Sequence, residues 1–298
     1  SLLKKIGFAL LESYQTFKVT SSPKLVMTLL VKNEEDMLEK NLQFHKAMGV
    51  DGFIITDNNS TDRTPEIIRQ YQEKGWIWEA IKEPGTNYQQ KKWVDRMVWI
   101  AKRKYHADWV INADADEFWY PNSGSLKNFI SKTRANVIRV KARSVYPEDD
   151  KPFWLWNRTV KPVPDYAAYG LSNYPIFERQ YQKVLHRTVG YIQISMGNHK
   201  VVMFPKKSTE SDIYIYHFNI RGRKQFLAKM INGGKQLEQN PNKNRGRHWR
   251  YFYQLYKEQR LEEEYDKVIG LNSYDRLVKD GYIQTDNTLV NFFKEQNS

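Results

Sequence analysis

Asp114-Ala115-Asp116 sets two carboxylates one residue apart, directly after the run Trp109-Val110-Ile111-Asn112. Where a buried strand ends in a bend, such a pair can point the same way and share one hard divalent cation. Magnesium and manganese prefer oxygen ligands and complete their shells readily with phosphate oxygens. A cation held there would act as a Lewis acid, neutralising charge that grows on a diphosphate leaving group. Taken alone, the tripeptide also fits solvated loop carboxylates or a helix cap, so its meaning depends on its surroundings.

A second cluster is Asp57-Asn58-Asn59-Ser60-Thr61-Asp62, and a third is Lys32-Asn33-Glu34. Residues of these types favour turns and caps, which accounts for Ser60, Thr61 and Asp62. Asp57, immediately after an apolar run, could accept a hydrogen bond from a base or a ribose. Among the histidines, His217 closes the run Ile213-Tyr214-Ile215-Tyr216, and His199 lies in Gly197-Asn198-His199-Lys200. A lone histidine is commonly structural. His186 and Arg187 read as strand residues, and His45, His106 and His248 have no comparable setting.

The elements that must position these groups follow from periodicity. Leu25 to Val31 reads as a buried strand, Glu34 to Met48 as a helix, and Gly52 to Thr56 as a second strand. Thr64 and Pro65 suit the start of the next helix, which runs to about Gly75. Trp76 to Ile81 is a third strand. Gln89 to Tyr105 carries Trp93, Met97, Ile100, Ala101 and Tyr105 at helical spacing, and Trp109 to Asn112 is the fourth strand. Repeated βα units predict an α/β fold with a mostly parallel sheet flanked by helices. Ligands of such sheets bind beyond the carboxyl ends of the strands. All three polar clusters stand at those ends and should converge in one crevice.

After Ser125 the rhythm changes. Short strands are expected at Val137 to Arg143, Lys183 to Arg187, Lys200 to Phe204 and Ile213 to His217, with a Pro- and aromatic-rich stretch from Tyr146 to Tyr174. From Lys224 the chain reads as helical, broken by a loop at Asn240 to Arg247. The expected organisation is a lead-in helix over 1–24, a catalytic domain over 25–222 divided near 125, and a helical extension over 223–298.

The 298 residues are 40% hydrophobic and 14% aromatic, enough for a packed core. Cysteine is absent, which excludes disulfides and Cys-based zinc sites and fits a reducing compartment. No apolar run is long enough for a membrane span. The helix expected over Leu2 to Phe17 reads as docked on the surface, with a membrane-skimming role as the alternative. Its short apolar run, interrupted by Glu12, argues against a signal peptide. The net charge of +13 attracts anions, among them nucleotides, nucleic acid, lipid headgroups and acidic polysaccharide. Arg221 to Lys224 and Lys243 to Arg247 hold much of it, either as solvated loops or as binding surfaces.

Val31-Lys32-Asn33-Glu34-Glu35, Asp57-Asn58-Asn59-Ser60-Thr61-Asp62-Arg63-Thr64 and Asp114-Ala115-Asp116-Glu117-Phe118 together resemble the ordered motifs of family-2-like glycosyltransferases. The Lys-Asn-Glu start, Phe44-His45-Lys46-Ala47-Met48-Gly49-Val50 and the Asp-Ala-Asp-Glu-Phe end are closest to the branch related to family 92. The resemblance covers about residues 25 to 130 and fades afterwards. It implies a GT-A fold, a nucleoside-diphosphate sugar donor with a UDP-sugar favoured, and a Mn2+ or Mg2+ cofactor. By motif position, Val31 and Asn33 edge the nucleotide pocket, Asp57 meets the base or ribose, and Lys91 reaches the donor unless it is a plain surface lysine. Asp114 serves ribose and metal, Asp116 is the firmer metal ligand, and His217 would complete the shell as a late-strand histidine. His199 is its rival, or a contact to sugar or phosphate.

The resemblance also implies an inverting transferase, which needs a general base for the acceptor hydroxyl. The cluster Glu148-Asp149-Asp150 offers one, with Asp149 favoured over Glu148, and Glu178 is a further candidate; an exposed acidic turn is the plainer reading. The acceptor would be a glycan or glycolipid in bacterial surface polysaccharide or lipooligosaccharide synthesis. The expected setting is cytoplasmic, with peripheral membrane contact possible. Competing readings explain less. A dehalogenase-like phosphatase would place its aspartate pair after an early strand, and a sugar-phosphate nucleotidyltransferase would show a Gly-rich loop after the first. A basic nucleic-acid-binding protein accounts for the charge but not for three clusters at successive strand ends, so no nucleic-acid partner is expected.

Overall fold

The computed structural model describes residues 2–12, 21–84, 89–238 and 246–296. Its first elements are α1 (Leu2–Leu11), β1 (Leu25–Val31), α2 (Leu38–Ala47), β2 (Gly52–Asp57), α3 (Thr64–Glu73), β3 (Ile77–Lys82), α4 (Gln90–Arg103) and β4 (Trp109–Ala113). Then come β5 (Glu117–Pro121), α5 (Leu126–Ile130), β6 (Val137–Ser144), β7 (Arg158–Val160), β8 (Gln182–Arg187), β9 (Tyr191–Ile194), β10 (Val201–Met203) and β11 (Ser208–His217). The last are α6 (Arg223–Glu238), α7 (Arg247–Lys257), α8 (Leu261–Ile269), α9 (Tyr274–Lys279), β12 (Ile283–Thr285) and α10 (Thr288–Glu295). Residues 13–17 of the expected first helix, and residues 240–245 of the expected basic loop, lie outside the described residues.

Two compact units emerge, one of Ser1–Ala142 with Tyr181–Tyr216, the other of Arg143–Gln180 with His217–Ser298. In the first, eight strands form one sheet in the order β3-β2-β1-β4-β8-β6-β11-β5. β1 pairs in parallel with β2 and with β4, and β2 with β3. β8 runs antiparallel to both β4 and β6. The fold is therefore α/β with a parallel first half and a mixed second half, and the later strands continue the same sheet. β1 is apolar at six of its seven positions because both of its faces are covered. Val94, Met97, Val98 and Ala101 of α4 supply part of that cover, in one core with Val26, Ile54 and Val110.

The structure departs locally from the expected elements in three places. The helix expected from Glu34 starts at Leu38; ahead of it Glu34 N donates to Thr64 Oγ1 and Glu35 N to Asp62 Oδ2. β5 follows the aspartate pair almost at once, where Phe118 and Trp119 are buried. Tyr191–Ile194 pairs with Val201–Met203 as a hairpin apart from the main sheet.

The second unit packs α6, α7 and α8 around Phe226, Phe252, Tyr265 and Val268, with β7 and β12 as an antiparallel pair. Gly234 lets α7 approach α6 closely, since a Cβ there would fall 2.2 Å from that of Tyr253.

Candidate functional site

Parallel pairing brings the three strand ends together. Val31 is opposite Asp57, and Leu29 is opposite Ala113, the residue before Asp114. The loops after β1 and β2 are tied to each other by side chains. Asn33 N donates to Ser60 Oγ at 2.9 Å, and Asn33 Oδ1 accepts from Thr61 N at 2.8 Å. Glu34 N donates to Thr64 Oγ1 at 2.8 Å, while Ser60 donates twice to Asp57 Oδ1, at 3.1 Å from N and 2.6 Å from Oγ. Asn33 and Asn59 adopt left-handed backbone, φ 55° and 56°, which asparagine tolerates better than most residues. The Asn33 side chain thus holds a loop, Val31 is a buried strand end whose carbonyl accepts from Asn58 N, and Asp57 is buried with one oxygen engaged. The side-chain oxygen of Asn58, buried at the same edge, has no hydrogen-bond partner among the described residues.

α2 clamps the aspartate turn from beneath. Glu117 N closes it on Asp114 O at 3.2 Å. Asn41 Nδ2 donates to both Ala115 O, at 2.8 Å, and Glu117 O, at 2.9 Å. One helical turn on, His45 Nδ1 donates to Asn41 O at 2.9 Å, which leaves Nε2 to accept from Trp119 N at 3.1 Å. Burial lowers the His45 pKa to about 3, against a smaller opposing effect from the Asn41 carbonyl, so the ring stays neutral and this tautomer holds.

Charge at the turn is set by Lys183 of β8. Its Nζ stands 2.7 Å from Asp114 Oδ2 and 2.7 Å from Glu117 Oε1, in a side chain only 2% exposed. Burial disfavours the ammonium, but the two carboxylates outweigh it and hold the pKa above the ordinary lysine value. Tyr181 donates its hydroxyl to Glu117 Oε1 at 2.8 Å, and burial followed by that carboxylate keeps the phenol protonated. His199 packs edge-on against Tyr181, ring centres 5.2 Å apart, with Nδ1 donating to Gln182 O. It therefore joins the Asp114 neighbourhood through Tyr181 and Glu117. Lys91 is exposed on α4 and donates to Gln193 of β9 at 3.0 Å.

A buried polar chain crosses the sheet just below the turn. Thr28 Oγ1 donates to Asn112 Oδ1 at 2.7 Å, and Asn112 Nδ2 donates to His186 Nε2 at 3.0 Å. His186 Nδ1 donates in turn to Arg187 O at 2.9 Å. Burial lowers the His186 pKa to about 4. His186 is therefore a core residue of the sheet, and Arg187 lies over the Trp109 ring at 4.7 Å.

The donor chemistry of the turn fits a hard divalent cation. Asp116 is buried at the strand end and Asp114 is 41% exposed with one oxygen on Lys183, so the pair supplies few ligands. Among the described residues no group of three or more His, Cys, Asp or Glu side chains is positioned to hold a metal. Two carboxylates suit Mn2+ or Mg2+ when phosphate and water fill the remaining positions.

The remaining predicted residues belong to the second unit. Glu148 accepts from Asn157 N at 2.8 Å and pairs with Lys151 at 2.8 Å. Asp149 accepts from Arg223 N at 3.3 Å, capping the start of α6. Partial burial raises the Glu178 carboxyl above its ordinary value, though its side chain stays at the surface. His217 ends β11, and its carbonyl accepts from Val145 N at 2.9 Å. Arg223 is bound to Asp266 and lies over the Tyr265 ring, so that basic position is structural.

Sequence reasoning missed Lys183, Tyr181 and Asn41. The available signals were a lysine inside an apolar strand and an Asn–His pair four residues apart on a buried helix face.

The profile of the family described as Glycosyltransferase family 92 matches residues 27–263. A glycosyltransferase family 92 protein of Arabidopsis thaliana is 22% identical over 217 residues, 66% of this chain. The chain spans 32% of that relative's length. Solved structures with similarity include S. aureus TarS 1–349, 13% identical, covering 85% of this chain and 74% of that one, TM-score 0.39. A mannosyltransferase from Pyrobaculum calidifontis in complex with GDP-Man and Mn2+ is 13% identical, covering 93% and 85%, TM-score 0.40. Glucosyl-3-phosphoglycerate synthase from Mycobacterium tuberculosis, with Mn2+ and UDP-glucose, is 15% identical, covering 48% of each chain, TM-score 0.29.

Proposed function

Because the chain belongs to glycosyltransferase family 92, we propose that it moves a sugar from a nucleoside-diphosphate donor, a UDP-sugar by preference, to a hydroxyl of a glycan or glycolipid. The observation that carries this reading is that Asp57, Asn58 and the Asp114–Asp116 turn follow the carboxyl ends of β2 and β4, the two parallel neighbours of β1. Asp57 and Asn58 offer acceptor oxygens to the base and ribose, and Asp114 offers one to ribose or metal. Asp116 and Asp114 would hold the divalent cation, whose chemistry when bound is to neutralise the departing diphosphate. Lys183 fixes the carboxylate of Asp114, and Asn41 fixes the turn, so little rearrangement is needed when the donor arrives. His199, His217 and Lys91 are assigned supporting contacts to donor or metal.

The displacement is proposed to invert the anomeric centre, with the acceptor's proton passing to a carboxylate. Asp149 is the first candidate. Glu178 is the rival, since a raised carboxylate pKa suits a base working near neutrality. Glu148 is already committed to Lys151 and Asn157 N. Surface polysaccharide or lipooligosaccharide synthesis on the cytoplasmic side is the setting proposed.

The test is a screen of nucleotide sugars for thermal stabilisation and hydrolysis with manganese, repeated with EDTA. Stabilisation by one nucleoside diphosphate, lost with EDTA and in Asp116→Ala, is expected. Salt-sensitive binding of random oligonucleotides, with no response to any nucleotide sugar, would overturn the reading.

A further inference from the structure

Helix α1 is turned inside out. A helix docked on a water-soluble domain presents its apolar stripe to the core and its charges to solvent. Here the inward residues are Lys5, Ala9 and Glu12, three and four positions apart. Lys5 Nζ reaches Asp95 of α4 at 3.5 Å, while Glu12 Oε2 pairs with Lys102 at 2.5 Å and accepts from Gly190 N at 3.1 Å. The outward face carries Leu3, 80% exposed, Leu11, 74% exposed, and Leu10, 53% exposed. Polar anchoring thus commits this helix to displaying leucines.

The display continues onto the hairpin beside it. Gly190, which binds Glu12, also accepts from Phe204 N at 2.9 Å, and α1 packs on β9. Phe204 and Val202, at and near β10, both expose their side chains. The exposed charges on α1 and flanking the hairpin, Lys4, Lys200 and Lys206 (whose Nζ donates to Val201 O at 3.0 Å), are positive, whereas the acids Glu12 and Asp95 are ion-paired against the domain.

We propose that α1 and the β9–β10 hairpin form a docking surface for an anionic lipid bilayer. With its polar residues held against the domain, α1 lies in the headgroup plane with its leucines among the acyl chains. Lysines at the rim meet the negative headgroups. The same charges disfavour a second copy of the chain as the occupant, since pairing two such faces would bring lysines together on molecules of net charge +13. This surface is independent of the transferase reading.

The experiment is co-sedimentation of the full chain with vesicles of phosphatidylcholine alone and of phosphatidylcholine mixed equally with phosphatidylglycerol. Binding to the mixed vesicles is expected to exceed that to the neutral ones and to weaken with salt. The double variant Leu3→Glu/Leu11→Glu should lower the partition coefficient at least about tenfold, with an unchanged melting curve because both sites are exposed. Val202→Asp, on the hairpin, should weaken binding independently. Failure of the unmodified chain to bind the mixed vesicles overturns the proposal, as does equal binding of the double variant. Sedimentation showing a dimer that the double variant abolishes would assign the face to a second copy instead, and overturn it equally.

Discussion

Replacing Lys183 by methionine keeps most of the side chain's length and deletes its charge. The ammonium is 2.7 Å from both Asp114 Oδ2 and Glu117 Oε1. Asp114 is open to solvent, so its share of the pairing is screened. Glu117 is wholly buried, and its share dominates. Removing one member of a buried pair costs about 3–5 kcal/mol, because the survivor keeps its charge in a poor solvent. The Tyr181 hydroxyl, 2.8 Å from the same carboxylate, continues to donate and favours the lower end, about 3 kcal/mol. The assay is equilibrium urea unfolding followed by tryptophan fluorescence. Lys183→Met/Glu117→Gln should recover most of the loss, to within about 1 kcal/mol of the native protein. A single variant within about 1 kcal/mol of native at pH 7, or a double variant no more stable than the single, would refute the reasoning.

Asp116→Asn preserves shape but removes the metal's anionic anchor, so manganese-dependent donor stabilisation and turnover should both disappear; unchanged turnover with unchanged EDTA sensitivity would count against the site. Asn41→Ala strips two buried carbonyls of their donor and should cost about 2–4 kcal/mol, with a fall in kcat/KM, checked by urea unfolding and donor titration. His45 and His186 have folded pKa values lowered, chiefly by burial, to about 3 and about 4. The stability they confer is present above the unfolded pKa of about 6.5 and is lost as pH falls toward 4, by about 3 kcal/mol for His186 alone. A urea midpoint that stays level from pH 7 to pH 4 would contradict this.

The parallel half of the sheet was legible because β1, β2 and β4 are largely apolar and buried, and because α3 and α4 carry apolar stripes of their own. Pro65 after Thr64, and Trp93, Val94 and Met97 along α4, make those assignments local. The convergence of strand ends followed from topology alone. What stayed hidden was non-local. Lys183 looks like an ordinary strand lysine until β8 is placed between β4 and β6, 69 residues after Asp114. Asn41 and His45 act on backbone atoms more than 70 residues away, and backbone atoms carry no sequence signal. Asp149 reads as an acidic turn because its partner, the first amide of α6, is 74 residues further on. The orientation of α1 was also out of reach, since a stripe of leucines by itself says only that something apolar should cover it.

The chain Thr28–Asn112–His186 has a sense of direction. Each group is donor to the next and acceptor from the one before, ending on a carbonyl that can only accept. Slipping β4 by one residue would turn Asn112 to the opposite face of the sheet, leaving a hydroxyl and an imidazole nitrogen facing apolar side chains. Misaligned pairings of β1, β4 and β8 are thus penalised by unmet hydrogen bonds as well as by poor packing. The sheet thus checks its own alignment at the level where the aspartates emerge, and the register that places Asp114 and Asp116 together is the one its hydrogen bonds favour.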